Sequence, residues 1–258
     1  MLKKFLTDYD WTLAEVDHHC EESFYKSIGT LGGGNHFIEL DYNEEQQMMG
    51  VTVHKGSRNL GQKVCRKWSK KAIATGGYLS GYLLSDYLSD MVVCQAYAQY
   101  NRMIILQKIA DIYKKLCKGK VTEIVSSVHN YLDLEDMIIR KGAIRSYVGE
   151  KMIIPFNMRD GLAICLGKSN EDWNCSAPHG AGRIMSRNKA KEQLSMDDYQ
   201  QTMSEVYSTS VCHSTIDESP MAYKPSEEIM TLINPTCEIE FLMKPVINIK
   251  DTNETDRD

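Results

Sequence analysis

Short stretches of alternating apolar and polar residues, broken by glycine and polar turns, predict most of the strands in this chain. Residues 36–42 follow the glycine-rich Leu31-Gly32-Gly33-Gly34, and residues 49–54 near-alternate with β-branched side chains; both predict strands. From 86 to 116 the period changes. Met91, Cys94, Ala98, Ile105, Ile109, Ile112 and Leu116 keep close to helical spacing, and Gly119 ends the run. Further strands are expected over 121–127, 151–155, 162–166 and 237–242, with a helix over 192–209. Strands and helices mix without a regular βαβ rhythm, which predicts an α+β fold of mixed sheet and helix. No internal repeat or low-complexity linker divides the chain. One domain over 1–250 is expected, followed by a disordered polar tail over 251–258.

Composition narrows the class. With 258 residues, 42% of them hydrophobic, the chain can bury one large core or two modest ones. A quarter of the residues are charged and the formal charge is −5, which argues against coating nucleic acid by bulk electrostatics but leaves room for a local basic groove. No apolar run approaches the length of a bilayer span. The opening Met1-Leu2-Lys3-Lys4-Phe5-Leu6 is basic then apolar, but Thr7, Asp8 and Asp10 interrupt any signal-peptide core. Eight scattered cysteines form no C-x-x-C pair, so a reducing, cytoplasmic setting is expected.

Four segments place a histidine beside glycine or asparagine: Gly33-Gly34-Asn35-His36-Phe37, Val53-His54-Lys55-Gly56-Ser57-Arg58, Val128-His129-Asn130, and Ala177-Pro178-His179-Gly180-Ala181-Gly182-Arg183. Glycine lets a backbone approach a phosphate or metal, and asparagine can orient an anion. A single histidine of this kind is more often a surface or core residue; four in one chain favour convergence on a metal or phosphate site. His54 ends a predicted strand, where its imidazole could ligate a metal while Arg58 takes phosphate oxygens. The basic run Lys63, Arg66, Lys67, Lys70 and Lys71 reads as a solvated helix face, with Trp68 offering weak base stacking. His179, among small residues, is the best candidate nucleophile. A neutral imidazole can attack phosphorus, and Arg183 and Arg187 follow at helical spacing. The bland alternative is a glycine-rich turn before a helix. His18, His19 and His213 read as surface residues, and Asp17-His18-His19-Cys20 as a charged helix start.

Gly32–Glu39, His54–Arg58, His129-Asn130, Arg140–Ala143 and Ser176–Arg183 together resemble the RtcB family of RNA ligases in order and spacing. So does the stretch from Asp90-Met91 through Tyr97-Ala98 to Asn101-Arg102. The resemblance runs from about Ser27 to Lys250. It implies that His36, His54 and His129 are manganese ligands and that His179 is guanylylated by GTP. It further implies nucleotide contacts from Asn35, Glu39, His129, Asn130, Ala181, Gly182, Tyr223 and Lys250. Arg58, Lys141, Arg183 and Arg187 become candidates for RNA or GTP phosphates. The implied reaction joins RNA ends bearing a 2′,3′-cyclic phosphate or 3′-phosphate to 5′-hydroxyl ends, in tRNA splicing or RNA repair.

The sequence departs from the family pattern at three places. The family's Asp-x-x-Cys metal segment, well upstream of the Asn-His motif, has no room before Asn35. The core is therefore expected to be N-terminally incomplete, with Asp17-x-x-Cys20 a coincidence of spacing. Leu162 stands where a nucleotide-contacting serine is common, and Ile139 where histidine is frequent. Three functions compete: an RNA ligase; an inactive or split C-terminal fragment that binds nucleotide or RNA, or needs a separately encoded N-terminal piece; and a metal-dependent phosphoesterase. The small-residue setting of His179 argues against the last.

Overall fold

A computed structural model describes residues 24–117 and 119–252. The leader reading at Met1–Leu6, the Asp17–Cys20 cluster and residues 253–258 of the polar tail lie outside the described residues. The chain divides into two compact units, Met1–Gly32 with Val53–Gly119, and Gly33–Thr52 with Lys120–Asp258.

In the first unit, α1 (Asn59–Ala74) and α2 (Gly81–Cys117) enclose a core of Phe24, Leu60, Val64, Trp68, Val93, Cys94 and Tyr97. Leu60, Val64 and Trp68 recur every fourth residue, which turns one apolar stripe inward. Base stacking by Trp68 is overturned. Its ring is 3% exposed, and its indole N–H donates to Asp90 Oδ2 at 2.7 Å. Lys67 leaves the predicted solvated face as well, pairing with the same carboxylate at 3.5 Å. α2 begins five residues before the expected 86, because the apolar Leu83 and Tyr87 also pack on this core.

The second unit is built on a five-stranded sheet in the order β2-β1-β9-β7-β6. Its strands are β1 (Phe37–Asn43), β2 (Met48–His54), β6 (Lys151–Asn157), β7 (Gly161–Gly167) and β9 (Cys237–Ile249). The pairs β1–β9, β9–β7 and β7–β6 are antiparallel. Two smaller sheets pair β3 (Tyr131–Asp133) with β4 (Ile138–Arg140), and β5 (Ala143–Arg145) with β8 (Ser176–Pro178). This mixture of helices and antiparallel sheet agrees with the expected α+β class. β9 is longer than expected because Pro245, which has no N–H to give a ladder, sits at a register shift opposite Asp41. Ile144, Met152, Ile154, Phe156, Ala163 and Cys165 form the core beneath it, joined by Ile229 and Ile233 of α5 (Ser226–Leu232) and the adjoining turn.

Two expectations fail in this unit. Residues 121–127 join no ladder; the edge of β6 is instead met by side chains, with Ile153 N–H donating to Ser127 Oγ at 2.9 Å and Lys151 paired to Glu123. In place of the single helix over 192–209 there are two short ones, α3 (Arg187–Gln193), which starts earlier, and α4 (Met196–Thr202), and residues 203–209 are not helical. Ser186 and Ser195 each accept a backbone N–H three residues on, so each starts its own helix. Arg183 therefore precedes α3 and does not share its surface with Arg187.

Candidate functional site

Gly142 sits where the two small sheets meet and ties both histidine segments to one peptide. Its N–H donates to Asn130 Oδ1 at 2.7 Å, and its carbonyl lies 2.8 Å from His179 Nδ1. A carbonyl only accepts, so Nδ1 carries the proton and the lone pair of His179 is left on Nε2. The φ of +67° at Gly142 and the His179 ring about where a Cβ would pack suit glycine at this position. The His129 and His179 rings lie 4.5 Å apart, tilted by 35°. His129 and Asn130 thus enter β3 beside the exit of β8, where His179 follows Pro178. Ala181 is buried and Gly182 exposed just beyond. The chain from Gly182 runs against Tyr223: Lys224 N–H donates to Gly182 O, and Ile184 N–H to Ala222 O.

That pairing delivers Arg183 and Tyr223 to a buried carboxylate absent from the sequence candidates. Glu218, 3% exposed, accepts from Tyr223 OH at 2.7 Å and Arg187 Nη1 at 2.5 Å. Arg183 Nη1 and Lys250 Nζ each lie 3.4 Å from its carboxylate oxygens. Arg187 also reaches Asp217 Oδ2 at 2.6 Å. Burial pushes the Tyr223 phenol above its ordinary range, and the Glu218 charge adds to this. Lys250 is pushed down by burial, against the pull of Glu218 and Glu39. Its ammonium also stands 5.2 Å over the Phe37 ring. Arg183 and Arg187, expected to meet phosphates, are thus held by protein carboxylates. Asp217 and Glu218 resemble ordinary turn acids in the sequence, and no local pattern marks them as buried.

On β1, Glu39 and Asp41 face the same side two residues apart, both buried, with Asn248 donating to Glu39 and Thr52 Oγ1 donating to Asp41 Oδ2 at 2.8 Å. Asp41 Oδ1 finds no hydrogen-bond donor among the described residues. Burial, then the Asp41 charge and a hydrogen bond to it, raise Glu39 well above the usual carboxylate range. Burial raises Asp41 too, with the Glu39 bond opposing. Burial and the mutual repulsion of the two carboxylates therefore favour a proton kept within the pair, on Glu39. Because the folded state holds this proton more tightly than the unfolded chain does, stability is lost as pH rises from the ordinary carboxylate range through the raised value. Asp41→Asn supplies an amide donor to ionised Glu39. Urea midpoints should show the variant about 1–2 kcal/mol more stable at pH 8, with little difference at pH 4. Equal pH slopes in the two proteins would exclude the shared proton. Lys250 titrates in both and does not account for a difference.

Asn35 and His36 form the turn entering β1, and Lys141 is exposed between β4 and β5. His54 and Arg58 belong to the first unit. There Arg58 has φ +55°, and its guanidinium fills the space over Gly32 where a Cβ would stand. Among the described residues no three His, Cys, Asp or Glu side chains form a group that could hold a metal. Three imidazoles are also a modest donor set for manganese, which favours oxygen ligands. These imidazoles alone are thus an incomplete donor set for manganese. Leu162 is 1% exposed in the core, whereas Ile139 is 77% exposed. No described helix is long and apolar enough to cross a membrane.

The chain belongs to the RtcB family: the family model described as tRNA-splicing ligase RtcB matches residues 8–251. It is 29% identical to the RNA-splicing ligase RtcB of Escherichia coli K12 over 94% of this chain, and 30% identical to RtcB1 of E. coli ATCC 25922 over the same share. The tRNA-splicing ligase RtcB of Archaeoglobus fulgidus is 27% identical over 80% of the chain. The chain spans 65% of the length of the two E. coli relatives and 55% of the archaeal one.

Proposed function

We propose that this chain is the nucleotidyl-transfer core of a GTP- and manganese-dependent RNA ligase, with His179 as the residue that is guanylylated. The observation that carries the reading is the Gly142 carbonyl on His179 Nδ1, which leaves the Nε2 lone pair for attack. In the transfer, Nε2 bonds to the α-phosphorus of GTP, the α–β anhydride breaks, and pyrophosphate departs. GMP then passes to an RNA 3′-phosphate, itself formed by hydrolysis where the end is a 2′,3′-cyclic phosphate. A 5′-hydroxyl attacks that activated end and expels GMP. Glu39, Asn35, Asn130, His129, Ala181, Gly182, Tyr223 and Lys250 line the nucleotide in this reading, and Arg58 and Lys141 take RNA phosphates. The substrates belong to tRNA splicing or RNA repair, in the cytoplasm, with one ligase core over 1–250.

Manganese, when bound, withdraws charge from the transferred group. His36, His54 and His129 would be among its donors. Since the described residues hold no three-donor group, a second reading has this chain complete its metal site with donors from a separate N-terminal piece. GTP labelled at the α-phosphate, incubated with the full chain and Mn²⁺, should leave acid-labile, alkali-stable label on the protein in a denaturing gel. Label appearing only when the N-terminal part of the E. coli ligase is added would favour the second reading. No label in either case would overturn both.

A further inference from the structure

Among the described residues Arg140 is the most buried large cation of the second unit, 2% exposed, yet it stands on a three-residue strand of a two-stranded sheet. Its guanidinium is fully engaged. Nη1 donates to Asp133 Oδ2 at 2.7 Å and lies 3.4 Å from Tyr131 OH; Nη2 donates to Asp136 Oδ2 at 3.1 Å. These partners all belong to the β3–β4 hairpin. Nε points elsewhere, donating to Ser176 Oγ at 2.9 Å, and that hydroxyl donates onward to Asn174 O at 2.8 Å. Ser176 opens β8. One planar fork therefore fastens two separate strand pairs, and each pair presents one of the stacked histidines: His129 just before β3, His179 just after β8. Gly142, whose peptide holds Asn130 on one side and His179 on the other, is two residues from Arg140.

We propose that Arg140 is a positioning residue for guanylylation, acting through the Gly142 peptide to keep His179 in the Nδ1–H tautomer. This rests on the proposed role of His179. Arg140 touches neither imidazole; it fixes the separation of the strand pairs that carry them. Arginine alone fits the place: a lysine ammonium carries the charge but cannot send one donor toward Ser176 while two face the hairpin carboxylates. If the strand pairs slip by a fraction of an ångström, the Gly142 carbonyl loses Nδ1, the proton can move to Nε2, and the nucleophilic lone pair turns away from the phosphorus.

The test uses the full chain and three variants, Arg140→Lys, Ser176→Ala and Asp136→Asn. Imidazole ¹⁵N shifts report the His179 tautomer without any turnover, so they decide the positioning claim even where wild type takes no label. A wild type with the Nδ1–H signature but no label, with or without the N-terminal part of the E. coli ligase, refutes the ligase reading and leaves the tautomer comparison standing. Arg140→Lys and Ser176→Ala are expected to mix the His179 tautomers. With a labelling wild type, they should also slow label incorporation about tenfold to a hundredfold at unchanged KM for GTP. Asp136→Asn, which keeps an acceptor for Nη2, should restore most of the wild-type signature. Ser176→Ala removes a single hydroxyl, so it stays readable if the lysine variant does not fold. A wild-type tautomer spectrum in folded Ser176→Ala, or a rate loss that follows melting temperature alone, would overturn the proposal.

Discussion

His179→Ala should carry no label from GTP, a loss of at least about a thousandfold, while melting within a few degrees of wild type. The two halves of this expectation come from separate facts. Chemically, Nε2 is the atom that would bond to phosphorus, and alanine offers nothing in its place. Structurally, the His179 side chain is half-buried and, among the described residues, its one side-chain hydrogen bond is to Gly142 O, which contributes about 1 kcal/mol. Loss of label therefore cannot be ascribed to unfolding. Label retained on the alanine variant would move the nucleophile elsewhere. His129, 4.5 Å away, would be the first residue to replace next.

The parts of the fold that could be read from the sequence are those in which local preference and tertiary need agree. β1 and β2 begin within one residue of expectation, because the glycines before His36 and the β-branched run ending at His54 are enough to specify them. Residues 121–127 have strand composition, but composition does not say whether a neighbouring backbone is there to pair with. In α3 and α4 the signal that was missed lay in the capping serines, Ser186 and Ser195. The site divides in the same way. Histidines beside glycine stand out along the chain, and His129 and His179 do meet. Glu218 and Asp41 look like any solvent-facing acid until the residues that bury them are in place.

Glu218→Ala should be among the most destabilising single changes in the second unit, by about 3–5 kcal/mol, the usual result of removing one partner from a buried ion pair. Its carboxylate is the shared partner of Arg183, Arg187 and Lys250 and the acceptor for Tyr223 OH. Arg187 keeps Asp217 and a side chain that is 44% exposed, so water and that carboxylate absorb much of its loss. Lys250 has no such recourse. Its side chain is 3% exposed, and the acid that remains near it is Glu39, whose carboxyl burial raises well above the usual range. Most of the destabilisation therefore comes from one ammonium. Two further variants test this apportionment. Glu218→Gln keeps the shape and an acceptor for Tyr223 and should fall between wild type and alanine. Lys250→Met in the Glu218→Ala background removes the stranded charge and should recover about half of the lost stability, a non-additivity that urea denaturation of the four proteins measures directly. Additive losses would place the cost on Arg183 and Tyr223 instead, and with it the role of holding the chain beyond Gly182 against Ala222–Lys224.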